Sequence, residues 1–214
     1  MNLLFGAISY IQNNRQVFEQ ALITHLELSG LALLIGFCVS APLGVIAAKH
    51  ARISTMIMSA VNGFRVIPSL AILVLVMPVL GTGFMPSLVA LTILACPPVL
   101  INTFLGIKRV DGEVIESAEG MGMDRRWILW KIELPLASPL MISGVRTAAV
   151  EVISSATLAA FIGGGGLGTF IINGLGLYNF ALLLVGALPV AILAICSELL
   201  FSLVERWVKR YRKT

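Results

Sequence analysis

From residue 66 to residue 107 the chain carries no charged side chain. About 20 apolar residues cross the hydrocarbon of a bilayer as a helix, so this run is long enough for two crossings. Leu80-Gly81-Thr82-Gly83-Phe84-Met85-Pro86 divides it with turn-forming residues. Residues 28–48 form another charge-free run, closed by Lys49-His50-Ala51-Arg52. With 58% hydrophobic and 12% charged residues and a mean hydropathy of +0.97, the chain lies far from the soluble mix. It reads as one all-α, polytopic membrane domain over residues 1–214. Five spans are predicted, at about 22–48, 55–80, 86–107, 136–162 and 180–204. Residues 1–20 leave room for an interfacial helix, and the start lacks the basic region and small-residue cleavage site of a removable signal peptide.

Orientation follows from the fifteen Lys and Arg. Threaded through five spans, Arg15 falls on one side. Lys49, Arg52, Lys108, Arg109, Arg125, Arg126, Lys131, Arg206, Lys209, Arg210, Arg212 and Lys213 fall on the other. The positive-inside rule makes the loaded side cytoplasmic, with the N-terminus outside and the C-terminus inside. The net charge of +4 is thereby used up by topology and headgroup contact, and implies no nucleic-acid partner. Span one also carries small residues at spacing four, Ala32, Gly36, Ser40, Gly44 and Ala48. Such a ridge lets a neighbouring backbone come close, either within one bundle or between subunits.

The loop over residues 108–135 is a charged island in this apolar chain. Asp111 precedes Gly112-Glu113-Val114-Ile115-Glu116 and can cap a short helix with an acidic first turn. Gly120 and Gly122 can end it, Asp124 can cap a second helix through Trp127, Ile128, Trp130 and Lys131, and Pro135 is expected to stop that helix. Glu116-Ser117-Ala118, Gly122 and Ile132-x-Leu134-Pro135 together read E-S-A-x₃-G-x₉-I-x-L-P. This pattern resembles the "EAA" loop by which permease subunits of bacterial ABC importers dock on their ATPase, with Ser117 in place of the second alanine. On that resemblance Glu116, Ser117, Ala118, Gly120, Gly122, Ile132, Leu134 and Pro135 form the docking element. Ala118 is expected at the helix surface, where a partner can pack closely.

Further stretches are similar to permeases of the osmoprotectant importers. They are Ile67-Pro68-Ser69-Leu70-Ala71, Gly120-Met121-Gly122-Met123, Glu133-Leu134-Pro135-Leu136-Ala137-Ser138-Pro139 and Ala156-Thr157-Leu158-Ala159-Ala160-Phe161-Ile162-Gly163. The resemblance implies five core helices of the methionine-importer type and a cargo such as glycine betaine, carnitine or choline. It also implies an ATPase dimer, a second permease subunit, identical or related, and an extracellular or periplasmic binding protein. ATP and Mg would be bound by the ATPase, leaving this chain with no cofactor and no enzymatic activity. The setting is a bacterial cytoplasmic membrane. Methionine importer permeases share the architecture and stand as the alternative, and an ion-driven transporter or channel is a remote one. Paired broken helices with internal repeats would mark the latter, and no convincing repeat is seen.

The remaining candidates lie in or near the spans. Gly163, Gly164, Gly165 and Gly166 lead into Leu167-Gly168, formally a dinucleotide fingerprint but without a strand, a βαβ unit or a downstream acid. Two readings stand: a flexible external turn, or a hinge or backbone-lined part of an outer gate. Glu151 lies about 18 Å beyond Pro139 at 1.5 Å per residue, near mid-bilayer, where a charge costs about 2.5–3.5 kcal/mol. It reads either as a buried partner of Arg65 or another polar group, or as a wall of the translocation path. Arg146 and Glu198 can pair near the inner ends of spans four and five. Pro68, with Pro78, Pro97 and Pro98, can let spans bend. His25 and Glu27 border span one and need no special role. Cys38, Cys96 and Cys196 fall in distant apolar runs and read as core residues, not as a disulfide or metal set.

Overall fold

The computed structural model describes residues 3–210; Arg212 and Lys213 of the basic tail lie outside them. The described residues hold helices and no strand. In chain order the helices are α1 (Leu3–Asn13), α2 (Arg15–Lys49), α3 (Ala51–Val66), α4 (Ser69–Leu80), α5 (Phe84–Lys108), α6 (Gly112–Gly120), α7 (Arg125–Ile128), α8 (Leu134–Ser155), α9 (Gly168–Gly176) and α10 (Phe180–Arg210). A π turn, Leu129–Glu133, joins α7 to α8, and a 3₁₀ turn, Leu158–Ile162, follows α8.

Helix α5 is the centre of the bundle, with α2 on one side and α8 on the other. The small-residue ridge of α2 is the seam: Ala32, Gly36, Ser40, Gly44 and Ala48 are all buried. A Cβ on Gly44 would stand 2.8 Å from Thr103 Cβ and 2.9 Å from the Leu100 carbonyl oxygen of α5. The ridge therefore packs within one bundle, where contact at this range replaces the hydrophobic drive that lipid does not supply. On the far side, Gly106 of α5 meets Ala137 and Gly144 of α8 meets Asn102. Leu28, Leu73, Leu91, Leu94, Val99, Ala148 and Val152 fill the shared core. A smaller core of Ala7, Leu167, Phe170, Leu182 and Val185 fastens α1 and α9 to α10.

Four helical stretches are long and apolar enough to cross a membrane: Arg15–Lys49, Phe84–Lys108, Arg125–Ser155 and Phe180–Lys209. The predicted second span is not one helix. It consists of α3 and α4, bent by 100° at residues 67–68. Pro68 crowds the residue before it out of the helical region, and Ile67 is extended at φ −74°, ψ 124°. Pro78 lies inside α4, and Pro97 and Pro98 lie inside α5. Pro135 does not stop the helix before span four either. The turn widens at residues 129–133, where the Leu134 N–H reaches back to the Leu129 carbonyl, and the stretch from Arg125 to Ser155 is continuous. A π turn of this kind absorbs one residue without ending the helix. Span four also ends at Ser155, before the predicted residue 162. Cys38 and Cys196 are exposed on the bundle surface, so they are not core residues.

Candidate functional site

The charged island folds as a capped elbow. The Asp111 carboxylate accepts from Glu113 N at 3.0 Å and that of Asp124 from Arg126 N at 3.3 Å, satisfying otherwise orphaned N–H groups at both helix starts. Between them Gly122 turns the chain at φ +81°, a conformation that costs glycine little. Glu116, Ser117, Gly120, Gly122 and Pro135 are exposed, and Ile132 and Leu134 are half-buried. Ser117 Oγ donates to the Glu113 carbonyl at 2.7 Å, so its hydroxyl serves its own helix. Ala118 does not lie at the helix surface. It is 1% exposed, facing into the elbow, and its carbonyl accepts from Met123 N at 3.1 Å. Its small side chain makes room for the elbow's own packing, not for a partner. The outer surface is aromatic and basic: Trp127 and Trp130 are 60% and 69% exposed, and Lys131 Nζ lies 5.7 Å from the Trp127 ring centre.

The elbow is pinned to the end of α2 by an ion pair between Lys49 Nζ and Glu133 Oε1. Glu133 is 1% exposed. Sequence reasoning missed this pair because its members lie 84 positions apart. The available signal was an acid set between two apolar residues, Ile132 and Leu134, in an otherwise basic stretch. Leu129 and Leu134 add apolar contact to Ala48, Ile107 and Ala137, so the ends of α2, α5 and α8 meet at the elbow.

Within the bundle, Arg146 Nε lies 3.4 Å from Glu198 Oε1, as the spacing predicts. A second acid was missed: Arg146 Nη1 bonds Glu205 Oε2 at 3.0 Å, and Lys209 holds the other Glu205 oxygen at 2.5 Å. The network clamps α8 to α10. Glu151 is not a buried partner of Arg65. Both residues are exposed on the bundle surface, and among the described residues no ion pair within 4.0 Å joins Glu151 to a partner.

At the opposite end Gly164, Gly166, Leu167 and Gly168 are buried, with Gly163 exposed and Gly165 half-buried, so most of the run is packed against the bundle and is not a free external turn. The Gly83 N–H donates to the Ile162 carbonyl at 2.7 Å, and Gly164 lies against Ser87. Gly166, at φ +77°, would place a Cβ 3.2 Å from His25 Nδ1. His25 is 0% exposed, with Nε2 3.1 Å from the Ile153 carbonyl oxygen. It is an interior residue, not the interfacial one expected. Beside it an open cavity of ≈ 330 Å³ is lined by Tyr10, Thr24, Gly165, Gly166, Phe170 and Asn173 among others. Pro68 stands at the sharp bend, on the exposed surface.

Residues 40–210 match the model of a family described as "binding-protein-dependent transport system inner membrane component". The chain is 41% identical over 184 residues to the glycine betaine/carnitine/choline transport system permease protein OpuCB of Bacillus subtilis, covering 86% of this chain and 85% of that protein. It is 39% identical over 198 residues to the carnitine transport permease protein OpuCB of Listeria monocytogenes, covering 92% and 91%. Among solved structures, an inward-facing form of the MetNI methionine ABC transporter superposes with a TM-score of 0.83 at 21% identity, covering 91% of this chain and 97% of that one. The last likeness speaks for the fold.

Proposed function

We propose, from the premise that this chain belongs to the family of binding-protein-dependent transport system inner membrane components, that its cargo is a quaternary ammonium osmoprotectant. As an ABC importer permease it spans the inner membrane several times. Glycine betaine, carnitine and choline are the compounds named for its relatives. Its partners in this reading are a cytoplasmic ATPase dimer that binds ATP and Mg, a second permease subunit and an external binding protein. The N-terminus is outside and the elbow inside, in keeping with the basic residues clustered at the elbow end. The observation that carries the coupling role is the elbow itself. Two capped helices around Gly122 are pinned at the meeting point of α2, α5 and α8, so a push from the ATPase reaches three spans at once. ATP binding drives the elbows together and opens the path outward; hydrolysis resets it.

The test is reconstitution of the complex in liposomes with ATP inside. ATP-dependent uptake of radiolabelled glycine betaine, carnitine or choline is expected, while uptake that persists without ATP rejects the importer reading. Accumulation of methionine in place of all three replaces the cargo.

Glu151 lines the path in this reading. Glu151 is exposed four residues before the end of α8, and a carboxylate there facing lipid would cost up to about 2.5–3.5 kcal/mol, the figure for a helix centre, so it is better placed against a second subunit or water. Replacing it with glutamine is expected to lower uptake about tenfold, a loss of about 1.4 kcal/mol. Assembly and ATP hydrolysis should persist. Loss of the subunit from the membrane would instead make Glu151 a structural group.

A further inference from the structure

The route from the elbow to α8 is covalent, through the π turn, and the route to α5 runs through residues 109–111. Helix α2 has no such route, since its last residue lies 84 positions from Glu133. Between α6 and the end of α2 there is an open cleft of ≈ 440 Å³, with Ile115 and Glu119 on one wall and Lys49 and His50 on the other. Side-chain packing therefore does not bridge α6 to α2 there. At the base of this cleft Glu133 and Lys49 form their ion pair. The apolar contacts around Ala48 are non-directional and can slide, whereas an ion pair made by a buried carboxylate fixes a position.

The pair also sits at a useful point in the chain. One residue beyond Lys49 the chain leaves α2 at His50, extended at φ −124°, ψ 99°, and α3 begins at Ala51. No residue of α3 is buried. A displacement of Lys49 therefore acts on the α2–α3 joint, and beyond it on the bent pair that carries Arg65 and Pro68. Among the described residues Glu133 Oε2 has no hydrogen-bond partner, and Lys49 is the cation paired with Oε1, so removing Lys49 leaves a buried carboxylate unpaired, whereas Lys49, 42% exposed, is left in water when Glu133 is removed.

From this geometry we propose that Lys49 and Glu133 form a coupling strut that transmits movement of the elbow to α2 and α3. The proposal rests on the importer reading above. Lys49 and Glu133 are positioning residues, acting through the helices they join.

The full importer, with its ATPase and binding protein, is compared in liposomes as wild type, Lys49→Met, Glu133→Gln and the charge swap Lys49→Glu/Glu133→Lys. The probe is whichever of radiolabelled glycine betaine, carnitine or choline the wild type takes up. Uptake per ATP hydrolysed is expected to fall about tenfold in each single variant, within the range of ordinary coupling between sites. Co-purification of the ATPase should be unchanged, and the swap should recover a third or more of the wild-type ratio. An unchanged ratio in the single variants overturns the strut, and so does a swap no better than either single variant. Failure of the variants to assemble overturns it too, by making the pair a fold-holding contact. A wild type without ATP-dependent uptake would instead reject the importer reading itself.

Discussion

Replacing Gly168 with valine is expected to remove the folded permease from the membrane. Gly168 opens α9 where the chain turns back on the end of α8. A Cβ there would stand 2.0 Å from the Thr157 carbonyl oxygen and 2.7 Å from its carbon. Both are backbone atoms, so no rotamer change relieves the clash. Overpacking of a well-filled site costs about 1–3 kcal/mol when side chains can give way, and here the backbone must move. Because about 1 kcal/mol shifts the midpoint by roughly 2–4 °C in a chain of this size, detergent-solubilised Gly168→Ala should melt about 10 °C or more below wild type. Valine should prevent accumulation altogether. Gly176, at the other end of α9, is the control, since a Cβ there meets nothing within 4 Å. Gly176→Ala should leave the melting temperature within about 2 °C. Equal effects at both positions would mean that helix propensity, not the close approach to Thr157, is responsible.

Local signals were legible in the sequence and contacts between distant segments mostly were not. The helix starts at Asp111 and Asp124 and the turn at Gly122 depend on a few neighbouring residues, and the structure has each where the sequence puts it. The ridge from Ala32 to Ala48 was legible as a seam because its period matches a helix face, although its partner, α5, was not. Arg146 and Glu198 could be paired because both were placed by depth in their spans, while Glu205 was overlooked at the end of α10.

Proline was the least readable residue. Pro68 breaks its span and Pro135 does not, although both remove an N–H. Pro68 forces Ile67 into the extended region, whereas the turn before Pro135 widens and the helix runs on. The burial of His25, Gly164 and Gly166 is hidden in the sequence for a related reason. A histidine at a span border and a run of glycines look solvent-facing one at a time. Here each supplies what the other needs, because Gly166 makes the space that the His25 ring borders.

Substituting leucine for Ala118 is expected to uncouple the permease while leaving its bundle intact. The motif places an alanine at this point, and its surface position would have made it a contact for the ATPase. Being 1% exposed, Ala118 is instead the residue over which α6 closes on the elbow, with the Met123 N–H bonded to its carbonyl at 3.1 Å. Three more heavy atoms at that point must push α6 away from the chain around Met123 and from α7. The expected strain of about 1–3 kcal/mol falls on a helix of nine residues, too short to hold its shape alone in water. The docking surface is then lost without a change to Glu116 or any other exposed side chain. Co-purification of the ATPase and ATP-dependent uptake should each fall by about tenfold or more, since about 1.4 kcal/mol of binding free energy is a factor of ten. The melting temperature of the bundle should stay within about 2 °C, because the seams of α5 with α2 and α8 lie elsewhere. Ser117→Ala supplies the contrast at the adjacent position. Its hydroxyl bonds its own helix, and uptake should change by less than about twofold, in line with ordinary surface substitutions. If Ala118→Leu transports normally and Ser117→Ala does not, the contact surface runs over the outer side of α6, and the packing inside the elbow is not what docking requires.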